Sequence, residues 1–215
     1  MSGLQHHFVA GLSAQRDVQY LDVDGRPQRL HLEQSDDELC GPMALAQAVM
    51  LLCGWPRSAV GNPKTRREPM RTFWRHAMAF QSGGTSESDL SALVALLAPA
   101  VDLVMTETSN ATRVGTLASA AIDAGHVPLV RYTTSQHSHW TMASAYERDA
   151  SGSVLALLLL DTDLSAPWAV PFNARLELRP DKRRAYPYAI RGTDGELWHA
   201  AFDSVCVVRR AGRAR

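Results

Sequence analysis

The segment "QSDDELCGPMALAQAVMLLC" (residues 34–53) places a cysteine at the head of a long apolar run. Residues 41–53 favour a helix throughout, and Gly54 directly after them is the type of residue that most often ends one. Gln47 is the lone polar residue of this run, so the helix should be buried on nearly every side. The sequence therefore predicts a central helix with Cys40 at its N-terminal end.

The chain has 215 residues, 46% of them apolar, which suits one domain with a sizeable core. We therefore assign residues 1–215 to a single domain. The 22 basic and 22 acidic residues balance, so the net charge indicates neither a nucleic acid nor an anionic membrane as a partner. The basic cluster at residues 179–191 is either a local patch or, as we expect, a solvated loop.

The three cysteines are an odd number without a C-x-x-C pair, which favours neither a disulfide framework nor a zinc site. His137 and His139 alone are not a zinc signature. We expect no cofactor and no metal. The N-terminus lacks the basic start and apolar core of a secretory signal, and no apolar run is long enough to span a bilayer. A cytoplasmic protein is expected, with export by a signal-less system left open.

Helical patterns dominate the first half of the chain and strand patterns the second, which predicts an α+β fold. Asp24-Gly25 is a turn signal and predicts a hairpin over residues 17–32. Ser86 with Asp89 resembles a capping box at the start of a helix. The remaining predicted elements are helices within 56–80, 86–97 and 110–125, and strands at 101–107, 126–134, 139–147, 154–160, 168–172, 175–178, 185–191 and 203–210.

A thiol at Cys40 would meet the unpaired N–H groups and the positive dipole end of its helix. Both favour the thiolate, which is the nucleophilic form of cysteine. The alternative is that Cys40 is only a small buried apolar residue. Gln34, six residues earlier, could donate its amide to the oxyanion of an acyl-transfer reaction, together with the backbone N–H of Cys40. Gln34 could also be a surface residue.

The general base would be one of eight histidines. His137 and His139 stand at the start of a predicted strand and point to one face of it. If the turn of the following hairpin centres near residues 150–151, position 139 lies opposite position 161 or its neighbour. Asp161 would then face His139 with Cβ atoms about 5 Å apart, and it would orient and stabilise the imidazolium. Asp163 is the rival, because a small register shift would bring it to the same place.

Several motifs occur in an order that resembles papain-like cysteine peptidases. They are Q-x5-C-G-P (34–42) opening a buried helix, G-x-x-P-L-V (125–130), "HW" (139–140) entering a strand, and a strand that ends in Asp161. The resemblance is greatest to the bacteriocin-leader (double-glycine) peptidases and their stand-alone relatives, which carry a segment similar to "GGTSESDL" (83–90). It extends over about residues 30 to 165.

The resemblance implies a papain-like fold, in which an N-terminal helical half with a buried nucleophile helix packs on a C-terminal antiparallel sheet. It implies Cys40 as the nucleophile, Gln34 as the oxyanion donor, His139 as the general base and acid, and Asp161 as its orienting partner. Cys40 would attack an amide carbonyl of a peptide or protein substrate, His139 would protonate the leaving amine, and water would hydrolyse the acyl-enzyme.

The chain also departs from the pattern of that family. Met43 stands where the family has a small residue, Thr162 stands where it often has proline, and residues 56–80 and 165–215 have no counterpart. These departures leave the catalytic roles intact and the substrate open. Hydrolysis of a peptide or isopeptide bond is the first expectation. The alternatives are a deamidase, transglutaminase or amidase with the same triad, as in a bacterial effector toxin, and a catalytically dead binding module.

Overall fold

The structure, a computed structural model, describes residues 4–14, 17–34, 37–80 and 83–212. The helices are α1 (Cys40–Cys53), α2 (Arg57–Val60), α3 (Met70–Ala77), α4 (Glu87–Ala95) and α5 (Ala111–Asp123), with 3₁₀ turns at Asp37–Leu39 and Met78–Phe80. The strands are β1 (Gln5–Phe8), β2 (Ser13–Ala14), β3 (Val18–Leu21), β4 (Pro27–Arg29), β5 (Val101–Glu107), β6 (Val127–Thr133), β7 (Ser138–Arg148), β8 (Val154–Leu160), β9 (Ala174–Glu177), β10 (Tyr188–Gly192) and β11 (Leu197–Arg210). Among the described helices, none is both long and apolar enough to cross a bilayer.

The last six strands form a closed antiparallel barrel. Each of β6 to β10 pairs with the next strand along the chain, and β11 closes the ring by pairing with β6. β1 extends the barrel by pairing with β7, and β5 does so by pairing with β11. A separate small sheet contains β2, β3 and β4.

This barrel corrects the expected fold class. The α+β, papain-like arrangement of a helical half packed on a sheet is wrong, because the sheet closes on itself. Residues 174–210 supply β9, β10 and β11, although the family resemblance gave no role to residues 165–215. Closure depends on pairing between β6 and β11, which are far apart in the sequence, and local residue patterns carry no information about such a pairing.

Several locally predicted elements are confirmed. β3 and β4 form the predicted hairpin, and Gly25 in its turn has a φ of 74°. Ser86 and Asp89 make a reciprocal capping box at the start of α4. The strand predicted at 168–172 is wrong: this segment has no regular structure, and Ala169 has a φ of 62°.

Burial on both faces explains the apolar runs of the barrel. In β7 every residue from His139 to Glu147 is buried, and in β8 every residue from Ala156 to Leu160 is buried. α1 packs against β7, whereas α5 packs against β6 and β8. The helices therefore cover strands that would otherwise show alternating polar residues. α1 is held so that its first residue reaches the beginning of β7.

Candidate active site

Cys40 is the first residue of α1 and follows the 3₁₀ turn Asp37–Leu39 directly. No side chain caps this end of the helix, so its N–H groups and the positive end of its dipole are left for the thiol. The backbone N–H of Trp140 donates to Cys40 Sγ at 3.4 Å. The sulfur therefore lies among groups that stabilise negative charge, and it is only 4% exposed, which reduces screening by water.

Gly41 allows the start of α1 to approach the segment that precedes α4. A Cβ atom at Gly41 would lie 2.8 Å from Thr85 Cβ and 2.9 Å from Thr85 Cγ2. The indole Nε1 of Trp140 donates to the Thr85 carbonyl oxygen at 2.8 Å, so this segment is fixed to β7 as well. A glycine directly after the cysteine is therefore a steric requirement of the site.

His139 connects the sulfur with a buried carboxylate. Cys40 contributes to the raised pKa of the His139 side chain, and His139 Nε2 lies 2.8 Å from Asp161 Oδ1. Because Nε2 is engaged by Asp161, Nδ1 is the ring nitrogen left for the thiol. Both His139 and Asp161 are 1% exposed. The structure thus brings three of the four predicted side chains into one cluster.

Asp161 is held by several donors at once. Oδ1 also accepts from the backbone N–H of Asp163 at 2.9 Å, and Oδ2 accepts from the hydroxyl of Tyr132 at 3.2 Å. The Asn173 side chain fixes the backbone of Asp161, accepting from its N–H and donating to its carbonyl oxygen, each at 2.7 Å. His31 Nε2 lies 2.9 Å from the same carbonyl oxygen. The carboxylate is therefore immobilised on both its side-chain and its backbone groups.

Tyr132, Asn173 and His31 were not singled out by the sequence. Tyr132 lies on β6 among other buried residues and looks like ordinary core. Asn173 follows the segment that was wrongly predicted as a strand, and His31, which falls in the predicted hairpin, is buried at 1% exposure. None of the three carries a spacing signal that links it to Asp161, because each contact is made across different elements.

The choice between Asp161 and Asp163 is decided by where the strand pairing stops. In the β7–β8 ladder Met142 pairs with Leu160; continued by three residues on each strand, this register would put position 139 opposite position 163. The ladder ends at Leu160, however, and the chain leaves the strand there. The predicted register was therefore wrong by one to two residues, yet the predicted contact between His139 and Asp161 is present.

The charges in this cluster are strongly coupled. Burial alone would lower the pKa of His139, but the negative charge and hydrogen bond of Asp161, together with Cys40, raise it well above its usual value. Burial alone would raise the pKa of Asp161, but the charge and hydrogen bond of His139, with further donors, lower it. Burial and the nearby Asp161 charge raise the pKa of Tyr132, which keeps its hydroxyl a donor. The arrangement favours an imidazolium beside a carboxylate.

Gln34 is hydrogen-bonded to Thr162, the residue that follows Asp161. Its backbone N–H donates to the Thr162 carbonyl oxygen at 2.8 Å, and its side-chain Oε1 accepts from the Thr162 hydroxyl at 3.0 Å. Its side-chain Nε2 is buried and has no hydrogen-bond partner. A buried amide N–H without an acceptor is costly to the folded state, and it is the kind of donor that an oxyanion would satisfy.

A groove of about 730 Å³ lies on the Asp161 side of the imidazole. Its lining includes Tyr132, Asp161, His137 and Asp163 near the cluster, with Arg184, Tyr186 and Trp198 on the later strands and loops. The segment after β8 and the C-terminal strands therefore build a concave surface next to the buried carboxylate. The segment without a counterpart in the resemblance contributes residues within 184–199 to this groove, as well as strands to the barrel.

Within the described residues, His137, His139 and Asp163 form a group that could hold a metal ion, since one ligand atom from each lies within 4.8 Å of the others. The two histidines alone gave no zinc signature in the sequence, and Asp163 joins them only through the fold.

Comparison of the chain with known protein families finds no match, and comparison with curated proteins finds none either.

Proposed function

We propose that this protein is a cysteine hydrolase that cleaves a peptide or isopeptide bond through a thioester intermediate. The observation that carries the proposal is the cluster in which the backbone N–H next to His139 donates to Cys40 Sγ and the His139 imidazole bonds the buried Asp161. The thiol lies at a helix N-terminus without a side-chain cap, so helix N–H groups face the sulfur. The proposal rests on this geometry and does not require a papain-like fold.

In the first half of the reaction, the thiolate of Cys40 attacks the carbonyl carbon of the substrate amide and forms a C–S bond. The carbonyl oxygen takes up the negative charge and is stabilised by Gln34 Nε2 and the backbone N–H of Cys40. The imidazolium of His139 then donates its proton to the nitrogen of the leaving group. The C–N bond breaks, the amine departs, and the acyl group remains on sulfur.

In the second half, water attacks the thioester carbonyl while His139, now neutral, accepts one of its protons. The C–S bond breaks and the carboxylic acid is released. Cys40 leaves as thiolate, and His139 is again an imidazolium. Asp161 keeps the imidazole oriented and stabilises its charge in both halves, without accepting the proton itself.

The test combines labelling with product analysis. An electrophilic thiol probe should modify Cys40 in preference to Cys53 and Cys206, as located by mass spectrometry of the whole chain. A peptide library should then show new amino termini after incubation with the wild type and none with Cys40→Ala. Equal labelling of the three cysteines would contradict the proposal. Release of ammonia without new amino termini would replace peptide hydrolysis by deamidation.

A further inference from the structure

The groove beside Asp161 carries a second group of side chains, which the proposed reaction does not use as a set. His137, His139 and Asp163 each offer a ligand atom, and these atoms lie within 4.8 Å of one another. His137 and Asp163 are exposed and line the groove, whereas His139 is buried behind them. The ring centroids of His137 and His139 are 5.9 Å apart, edge to face. The group is therefore open to solvent on one side and reaches the base of the triad on the other.

We propose that this group is a regulatory site for a divalent transition-metal ion such as Zn²⁺, which inactivates the enzyme by binding its base. Two imidazoles and one carboxylate suit Zn²⁺, Ni²⁺ or Cu²⁺ and are poor ligands for Mg²⁺ or Ca²⁺, which prefer an all-oxygen shell. Three protein ligands leave the fourth tetrahedral position to water from the groove. The inhibitory part of this inference rests on the proposed function, and the binding part does not.

The geometry requires only small side-chain movements. Zinc ligands at about 2.0–2.2 Å from the ion lie roughly 3.3 Å from one another in a tetrahedron. The three ligand atoms must therefore approach by about 1.5 Å from their largest present separation of 4.8 Å. His137 and Asp163 are exposed side chains at the edge of the groove, so rotation about their side-chain bonds can supply most of this movement.

A metal on His139 would stop proton transfer at either ring nitrogen. On Nδ1 the ion would occupy the position that faces the thiol. On Nε2 it would replace the hydrogen bond to Asp161, and the remaining proton would then sit on Nδ1, so that the ring could not accept a proton from Cys40. In both cases Nδ1 can no longer take up and return the proton that the reaction moves, and a chelator that removes the ion restores this exchange.

The binding test uses the full-length chain and Zn²⁺ by titration calorimetry, with Co²⁺ as an absorption probe of tetrahedral ligation. The wild type should bind a single ion, and His137→Ala and Asp163→Asn should each weaken binding by about tenfold to 100-fold. His199→Ala, a histidine on the wall of the same groove, should stay within about threefold of wild type. Unchanged affinity in both ligand variants would overturn the site. Nitrogen chemical shifts of the His137 and His139 rings should move on zinc addition, and unmoved shifts would overturn it too.

The inhibition test measures the rate at which iodoacetamide alkylates Cys40. For each variant, the rate with the metal ion is compared with the rate of the same variant without it. Saturating Zn²⁺ should slow the wild-type reaction by about tenfold or more, and the chelator EDTA should reverse this. Unaltered alkylation with the ion bound would overturn the inhibitory role. If Cys40 shows no preferential reactivity even without metal, the proposed hydrolase function fails, while the calorimetric result still decides whether the metal site exists.

Discussion

The two ends of α1 carry the same residue in opposite settings. Cys40 begins the helix, receives a hydrogen bond from the Trp140 backbone and contacts His139. Cys53 ends it, beside the left-handed Gly54 cap, and its only described hydrogen bond is a long one of 3.9 Å to the Ala100 carbonyl oxygen. Both thiols are buried, at 4% and 8% exposure. The two cysteines therefore do not differ in burial. They differ in the residues around the thiol and in the sign of the helix dipole at their end.

At the C-terminal end the cost of burying a charge is not overcome. Burial raises the pKa of Cys53, and the positive charge of Arg210 offsets this only in part. The negative end of the helix dipole also disfavours a thiolate there. Cys206, fully buried in β11, has its pKa raised by burial as well. The comparison shows that the N–H groups, His139 and Asp161, to which we attribute the proposed reactivity of Cys40, are gathered at one helix end.

The largest expected effect contrasts the two ends directly. Cys40→Ala should lower turnover of a cleaved peptide by about 10⁴-fold or more, because it removes the atom that forms the thioester. Cys53→Ala should stay within about twofold of wild type, since its sulfur lies about 20 Å along the helix from the reaction. Steady-state kinetics on the two variants measures the difference. Comparable losses in both would show that Cys40→Ala acts through the fold.

The next effect concerns His139 and Asp161, which lie at the N-terminal end of α1 and have no equivalent near Cys53. His139→Ala should cost about 10³–10⁴ in kcat, and Asp161→Asn should cost about 10²–10³ because the imidazole remains but loses its orientation and charge partner. The readout is kcat for each variant with the same peptide. Equal rates for wild type and Asp161→Asn would remove Asp161 from the mechanism and give its role to Asp163.

The pH profile sharpens the same comparison. The active form holds His139 as an imidazolium, so activity should fall as pH rises through the pKa of His139, which Asp161 and Cys40 raise. Asp161→Asn removes the largest of these raising contributions, and the alkaline loss of activity should therefore move to lower pH. The profile of kcat/KM measures this shift. A movement to higher pH in Asp161→Asn would contradict the ion-pair assignment.

A further effect is expected from Gln34, to which the proposed mechanism assigns the oxyanion. Gln34→Ala should lower kcat by about 10²–10³ and leave KM nearly unchanged, because the amide of Gln34 is needed only when the oxyanion forms. Thr162→Val removes the hydroxyl that holds Gln34 Oε1 at 3.0 Å, and it should cause a smaller loss in the same direction. Full activity in Gln34→Ala would assign the oxyanion to other N–H groups.

The sequence predicted the N-terminal end of α1 well because local rules determine it. A continuous apolar run defined the helix, and the position of Cys40 at its start followed from the same run. The contact between His139 and Asp161 was predicted through a register that proved inexact, because the hairpin centres on residue 151, with Arg148 paired to Val154. The two ladder irregularities, between Ala143 and Ala145 and between Glu147 and Arg148, place one extra residue on each strand and offset each other.

The barrel and the support around Asp161 could not be predicted in the same way. The prediction for β11 began at residue 203, whereas the strand begins at Leu197 and continues through a bulge between Phe202 and Ser204. Its pairing with both β6 and β10 is what closes the sheet. Likewise, Asn173 reaches Asp161 only because the irregular segment between β8 and β9 folds back. These are long-range contacts, and they depend on the packing of the whole chain.

The smallest expected effect on catalysis lies midway along α1. Gln47 is completely buried; its Oε1 accepts from the Leu32 backbone N–H at 3.1 Å, and its Nε2 donates to the Leu160 carbonyl oxygen at 3.3 Å. It thereby joins the helix to the two segments that continue into Gln34 and Asp161. Gln47→Leu should lower the free energy of unfolding by about 1–3 kcal/mol, because both backbone groups lose their partner in the core.

Urea denaturation measures this loss, and Met50→Leu on the same helix is the control, a buried swap of similar volume that should cost less than about 1.5 kcal/mol. Turnover per folded molecule of Gln47→Leu should fall by less than about tenfold, since Gln47 touches none of the reacting groups. A rate loss as large as that of Gln34→Ala, at unchanged stability, would contradict the contrast between the first residue of α1 and the rest of the helix. Reactivity would then depend on how the whole helix is seated and not on the groups around its first residue.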